Sequence, residues 1–155
     1  MTPDEFTPLI TRITGEINGR PLDADLADYL NRTFPPGNEA FEDIKAACQA
    51  AIAEGWMCNR EAGGIRFGRA VKPGAATHDF SVDVVIMNDV KGPHHRHPSG
   101  EIDMVMPVTP QARFDGHGEG WCVYGPDTAH HPTVTGGEAV VLYLLPKGEI
   151  EFTKQ

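Results

Sequence analysis

From residue 59 to its C-terminus the chain is divided into short β-type runs by glycine, proline, asparagine and aspartate. In the run "FSVDVVIM", Phe80 and Val82 point to one side of an extended strand, while Ser81 and Asp83 point to the other. Many short strands separated by turn residues are typical of an antiparallel sandwich or a small barrel. We therefore predict a mainly β fold for this part of the chain.

The N-terminal region has a different pattern, in which apolar residues recur at helical spacing. Thr7 and Pro8 predict the start of a first helix, because a threonine cap and a first-turn proline both favour one. Asp23 and Asn38 are candidate N-caps of a second and a third helix, and Gly55 marks the end of the third. The apolar stripes of these helices are interpreted as packing surfaces.

Length and pattern together predict one domain covering 1–155, in which a helical layer (1–58) precedes a β-barrel (59–155). The formal net charge of −9 argues against binding to nucleic acid or to an anionic membrane surface. No run of about 20 apolar residues predicts a membrane span. The three cysteines are widely spaced, which disfavours a disulfide framework and favours a cytoplasmic location.

The stretch "HHRHPSGE" contains a possible metal site. His95 and His97 project from the same face of a strand, and the turn formed by "HPSG" can reverse the chain so that a hairpin places Glu101 beside them. Two imidazoles and one carboxylate suit Fe(II), Mn(II), Ni(II) or Zn(II). The alternative is a histidine-rich polar surface loop.

A further ligand can come from the later stretch "GPDTAHHP", where His130 and His131 adjoin. In an extended chain only one of the two faces inward. His78, His94 and His117 are interpreted as surface, turn or supporting residues.

These stretches resemble the two motifs of the cupin superfamily. His95, His97 and Glu101 match the first motif, and Gly120, Pro126 and His131 match the second. The resemblance implies an RmlC-like jelly-roll barrel, with His131 rather than His130 as the fourth metal ligand.

Over nearly its whole length the sequence is similar to the 4-hydroxylaminobenzoate lyase family, on the segments "HHRHPSGEIDMVMP" and "GPDTAHHPTVTGGEA" and the helical start. That resemblance implies conversion of 4-hydroxylaminobenzoate to 3,4-dihydroxybenzoate with release of ammonia, a step in the degradation of nitroaromatic acids. A divalent metal is the expected cofactor, although the same four residues can also serve as acid–base groups. By analogy with cupin-like folds that pair through sheet edges, a homodimer is expected.

Several residues are candidates for binding or transforming a small aromatic acid. Asp103 shares the face of Glu101 and is a candidate catalytic acid, or else a solvent-facing residue near a strand end. A substrate carboxylate requires a cation, and the candidates in predicted strands are Arg66, Arg69 and Arg113. Tyr124 can line an aromatic pocket.

Two other functions use the same residues. A cupin-type iron dioxygenase acting on a small aromatic or thiol compound would consume oxygen, whereas a lyase would not. A noncatalytic small-molecule-binding barrel would bind its ligand without metal.

Overall fold

The computed structural model describes residues 1–154, and the first 54 of them contain three helices. Thr2 and Glu5 form a reciprocal capping box that starts the first helix, since each side chain accepts a hydrogen bond from the other residue's backbone N–H. Asp23 and Asn38 cap the second and third helices as the sequence predicts. The helices are α1 (Pro3–Ile17), α2 (Ala24–Thr33) and α3 (Glu39–Glu54).

The predicted start of the first helix was wrong by about one turn. The helix begins at Pro3, and Pro8 lies inside it. Pro8 has no N–H to donate to the carbonyl of Asp4, and the neighbouring Thr7 hydroxyl donates to the carbonyl of Pro3 at 2.9 Å. The capping box at Thr2 therefore sets the start of the helix, and the later Thr-Pro pair does not.

Strands make up most of the remaining described chain. In sequence order they are β1 (Arg60–Ala62), β2 (Ile65–Val71), β3 (Phe80–Lys91), β4 (His95–His97), β5 (Glu101–Pro107), β6 (Arg113–Phe114), β7 (Gly120–Tyr124), β8 (Thr128–His130), β9 (Thr133–Pro146) and β10 (Glu151–Phe152). The mainly β fold with a helical N-terminal region is confirmed.

The strands form two antiparallel sheets. The large sheet has the order β1-β2-β3-β9-β5-β7, with β6 paired to β9, and the small sheet has the order β10-β4-β8. One face of the large sheet packs against the helices through residues such as Val84, Ile102 and Leu142. The other face carries a second apolar cluster, including Val105, Phe114 and Val141, on the side of the small sheet. The functional side chains lie between the two sheets.

The turn after His97 is a connection between the sheets and not the predicted hairpin. β4 pairs with β8 and β10, whereas β5 pairs with β7 and β9. Gly100 makes the corner with a φ of 89°, and its N–H donates to the carbonyl of His97. Glu101 therefore approaches the histidines from the facing sheet.

None of the helices in residues 1–154 is both long enough and apolar enough to cross a membrane.

Candidate metal centre

Three histidines and one glutamate converge between the two sheets. His95 and His97 project inward from β4, while Arg96 between them projects outward and pairs with Asp127 and Glu151. On the neighbouring strand β8, His130 lies directly opposite His95 in the antiparallel register. Glu101 completes the group from the first position of β5, and its side chain is fully buried. We call His95, His97, Glu101 and His130 the His₃Glu cluster.

The donor atoms of the His₃Glu cluster lie within reach of one another. The Nε2 atoms of His95 and His130 are 3.1 Å apart, and the Nε2 atoms of His97 and His95 lie 3.3 and 3.6 Å from Oε1 of Glu101. Nε2 of His130 is 3.9 Å from Oε2 of Glu101. Ligand atoms that share one ion at bond lengths of about 2.1 Å are spaced by roughly 3–4 Å, so these separations suit a single metal ion.

Hydrogen bonds on the far side of two imidazoles fix which nitrogen faces the cluster. The Thr128 hydroxyl donates to the carbonyl of Gly125 at 2.7 Å, so its oxygen accepts from Nδ1–H of His97 at 2.9 Å. Nδ1–H of His130 donates to Oδ2 of Asp115 at 2.7 Å. With Nδ1 as the hydrogen-bond donor, Nε2 of each ring is the nitrogen left to serve as a metal ligand and is directed at the cluster.

Several buried ligand atoms of the cluster have no hydrogen-bond partner. Among the described residues, both carboxylate oxygens of Glu101 and Nε2 of His97 are buried without a hydrogen bond. Buried polar atoms normally have a partner, because leaving one unpaired costs about 1–3 kcal/mol. A divalent cation would satisfy all three atoms at once, and the donor types suit Fe, Mn, Ni or Zn. The residues present fit a metal ion.

The environment sets opposite protonation preferences for the two inward-facing acids of β5. Burial tends to raise the pKa of Glu101, but its interactions with His95 and His97 outweigh that effect and lower the pKa to about 2. Burial and the neighbouring charge of Glu101 raise the pKa of Asp103 well above its ordinary value. Oδ1 of Asp103 has no hydrogen-bond partner in the described chain, and Oδ2 lies 3.9 Å from the thiol of Cys122.

An apolar cavity of about 330 Å³ opens beside His95. Its walls include Phe67, Val85, Tyr143 and Phe152. The ring of Tyr143 lies 6.4 Å from the ring of His95, so the cavity and the cluster share a wall. A cavity of this size and lining suits a small aromatic molecule.

Comparison with known proteins identifies the chain's relatives. The model of the family described as PnbB: 4-hydroxylaminobenzoate lyase matches residues 8–152. The chain belongs to the 4-hydroxylaminobenzoate lyase family.

The 4-hydroxylaminobenzoate lyase of Nocardioides sp. (strain LMS-CY) is 31% identical, over 97% of this chain and 95% of the relative. The enzyme of the same name from Pseudomonas putida is 29% identical, over 98% of this chain and 96% of its own.

Solved structures with related folds are more distant. An RmlC-like cupin protein from Ralstonia eutropha JMP134 is 14% identical, with a TM-score of 0.46 over 61% of this chain and 62% of that one. An oxalate oxidase is 20% identical, with a TM-score of 0.44 over 60% and 57% of the two chains. Two facing antiparallel sheets after a helical N-terminal region are the fold of this lyase-family chain, and they agree with the cupin-like, RmlC-like jelly-roll barrel expected from the sequence.

The structure places His130 in the cluster, whereas the motif match favoured His131. His130 joins the cluster, whereas His131 turns away, with its ring 4.9 Å from that of His94 and Nδ1 3.1 Å from the carbonyl oxygen of Gly92. The pairing of β8 with β4 sets this register, since a shift of one residue would exchange the faces of the two histidines. The cupin motif spacing is therefore one residue shorter here than the motif alone suggests.

The candidate substrate-binding residues have different positions. Arg69 lines the cavity, Arg66 lies on the opposite face of β2, and Arg113 is exposed on β6. Tyr124 lies beside the cluster, 5.4 Å from the ring of His97, and its hydroxyl donates to Asp115 at 2.5 Å.

Sequence reasoning missed Asp115. Its carboxylate accepts hydrogen bonds from His130, Tyr124 and the backbone N–H of Thr133. In the sequence it stands in "FDGHG", where an aspartate before glycine indicates only a turn. Its left-handed φ of 49° fits that turn, but the contact with His130 depends on the tertiary fold.

Proposed function

We propose that this chain converts 4-hydroxylaminobenzoate to 3,4-dihydroxybenzoate and ammonia in the degradation of nitroaromatic acids, with a divalent metal held by the His₃Glu cluster. The observation that carries the proposal is the convergence of buried, unpaired donor atoms beside an aromatic-lined cavity. The near-full-length similarity to two enzymes named 4-hydroxylaminobenzoate lyase supports the choice of substrate.

The proposed reaction balances with water as the second reactant. 4-Hydroxylaminobenzoate (C₇H₇NO₃) and water give 3,4-dihydroxybenzoate (C₇H₆O₄) and NH₃. The N–O bond, the C–N bond and one ring C–H bond break, and two C–O and two N–H bonds form. The nitrogen gains two electrons and the ring loses two, so no external oxidant is needed. A bound divalent metal supplies Lewis-acid polarisation of an oxygen atom or lowers the pKa of a water molecule.

The protein's own groups provide binding and proton transfer. The aromatic and aliphatic walls of the cavity hold the ring and exclude water from one side of it. Asp103 is the proposed proton-transfer group, because it is fully buried, faces the same side as Glu101 and has an unpaired oxygen. Glu101 is the proposed carboxylate ligand of the metal. Because its side chain is fully buried, water does not compete with the metal for its oxygens.

The proposal is tested by anaerobic incubation of metal-replete protein with 4-hydroxylaminobenzoate. We expect one ammonia for each 3,4-dihydroxybenzoate formed, without oxygen. If metal-replete protein forms neither product, the lyase assignment is overturned. A product that forms only in air, with oxygen consumed, would instead indicate a dioxygenase.

Substitution of the two acids separates their roles. Glu101→Gln is expected to lower metal content and turnover together, whereas Asp103→Asn is expected to retain metal and lose about 10²- to 10⁴-fold in turnover. Metal content by elemental analysis and turnover by ammonia release are the two readouts. The control is Glu61→Gln, an exposed glutamate on β1, which should change neither. Normal metal loading of Glu101→Gln with lost turnover would make Glu101 an acid–base group only.

A further inference from the structure

Of the three arginines considered as carboxylate ligands, Arg69 is the one that lines the cavity beside His95. Arg69 and Asp83 are cross-strand partners on β2 and β3, and both side chains form part of the cavity wall. Arg66 projects from the other face of β2, and Arg113 on β6 does not line the cavity. The Arg69 side chain is 37% exposed, so it can be reached from solvent as well as from the cavity. An anion inside the cavity therefore meets Arg69 and neither of the other two.

Hydrogen bonds hold the Arg69 guanidinium in one orientation. Its Nε and Nη2 donate to the two carboxylate oxygens of Asp83 at 2.8 and 3.2 Å, and Nη2 also donates to the carbonyl of Gly148 at 3.0 Å. A guanidinium has five N–H groups, and these contacts use three. Nη1 lies beside Gly148, since a Cβ there would be 2.8 Å from it, and its two N–H groups donate no hydrogen bond within residues 1–154.

The register of the large sheet connects this arginine to the His₃Glu cluster. Asp83 pairs with Tyr143, and Tyr143 pairs with Asp103, so Arg69 and these three form one row across the inner face. Strands are spaced by about 4.8 Å, which puts the backbone of Arg69 about 10 Å from that of Tyr143. Tyr143 lines the cavity, and so does His95 of the cluster, whose ring lies 6.4 Å from the Tyr143 ring.

We propose that Arg69, oriented by Asp83, is the specificity-determining residue that binds the carboxylate of an aromatic acid substituted at the para position. A ring whose carboxylate meets the Arg69 guanidinium directs its opposite substituent towards the side of the cavity formed by His95, because both residues line that cavity. This inference rests on the proposed function, because it takes the reacting nitrogen group to lie next to the His₃Glu cluster. Since Asp83 neutralises the cation, recognition depends on the directed N–H groups more than on net charge.

Binding of two unreactive ligands to the metal-replete protein tests the proposal. 4-Aminobenzoate carries the carboxylate but has no N–O bond to break, and 4-methylaniline replaces the carboxylate with a methyl group. We expect Arg69→Ala to weaken 4-aminobenzoate binding by about 10- to 100-fold, measured by titration calorimetry, and to change 4-methylaniline binding less than about twofold. Arg66→Ala, on the other face of the same strand, is the matched control and should leave both affinities at the wild-type values.

A second variant keeps the test decisive if removal of Arg69 disturbs the fold. Arg69→Lys retains a cation beside Asp83 but loses the planar fork, so we expect an intermediate loss for 4-aminobenzoate and none for 4-methylaniline. Unchanged 4-aminobenzoate binding in Arg69→Ala, or equal weakening of both ligands in Arg69→Lys, would overturn the inference. Neither result depends on turnover, whereas failure of the lyase assignment appears as absent ammonia from the wild-type protein.

Discussion

Asp115 contacts the His₃Glu cluster through His130, on the side of the imidazole that faces away from the other cluster residues. One of its oxygens accepts hydrogen bonds from both His130 and Tyr124, and the other accepts from the backbone N–H of Thr133. These bonds lower the pKa of Asp115, although partial burial opposes the shift. An ionised carboxylate in this position fixes the imidazole tautomer and increases the basicity of the nitrogen that faces the cluster.

Asp115→Asn is expected to weaken metal binding about 10- to 100-fold, because the amide no longer selects the Nδ1–H tautomer of His130. The dissociation constant of Zn(II) or Mn(II), measured by competition with a chromogenic chelator, is the readout. Asp127→Asn is the matched control, since Asp127 is exposed and pairs with the outward-facing Arg96. Equal metal affinity of the wild type and Asp115→Asn would show that Asp115 has only a structural role.

His130, the last residue of β8, and His131, which follows it, give a direct test of the cluster's composition. His130→Ala is expected to reduce the metal bound per chain and to abolish turnover, while His131→Ala is expected to retain both. The reason is geometric, because Nε2 of His130 lies 3.1 Å from Nε2 of His95, whereas the His131 ring packs near His94. Elemental analysis and ammonia release on the two purified variants are sufficient. The opposite pattern, with loss on removing His131, would contradict the assignment.

Period-two alternation in the sequence predicted part of this residue pattern and left the rest open. It correctly placed His95 with His97 on one face, and Glu101 with Asp103 on one face. It could not choose between His130 and His131, because a short strand has no apolar pattern strong enough to fix its register. That register comes from the pairing of Ala129 with Arg96, which is a tertiary contact.

At the scale of elements, the corner between β4 and β5 sets the geometry of the site. It takes the chain from the small sheet to the large one within three residues, so that histidines and glutamate face each other across the interior. Gly100 is in the left-handed region there, and a Cβ at this position would lie 2.7 Å from both Leu22 Cδ2 and the carbonyl oxygen of Tyr124. The backbone contact leaves no space for any other residue.

Gly100→Ala is expected to destabilise the protein by about 2–4 kcal/mol, from left-handed strain and the clash with Tyr124. Denaturant unfolding measures the change in the free energy of unfolding. The control is Gly74→Ala, where the backbone is extended (φ −179°) and a Cβ would meet nothing within 4 Å. If both variants lose the same stability, the backbone conformation at Gly100 does not constrain the corner.

Local signals in the sequence predicted the helices more completely than the strand connections. Asp23, Asn38 and Gly55 each cap a helix as expected, because capping depends on residues within one turn. The Pro-Ser-Gly turn was read as a hairpin, since the sequence shows that a chain reverses but not which sheet receives the next strand. Whether two consecutive strands share a sheet depends on long-range pairing.

At the scale of the whole molecule, the large sheet separates a structural side from a functional side. Its outer face and the three helices share one apolar cluster, and its inner face carries the acids and the cavity wall. Composition and periodicity predicted this layering, and the family resemblance predicted the barrel. The cavity and the position of Arg69 within it were not predictable, because they require the register of β2, β3 and β9 together.

The central claim is that one divalent metal in the His₃Glu cluster supports the lyase reaction. The most direct measurement is ammonia release from metal-stripped protein to which Fe(II), Mn(II), Ni(II) or Zn(II) is returned in steps under anaerobic conditions, with bound metal determined at each step. For at least one of these ions, we predict that turnover rises in proportion to occupancy and reaches its maximum at one metal per chain. Full turnover in the metal-free protein, unchanged by any added ion, would contradict the claim and leave the four side chains as acid–base groups.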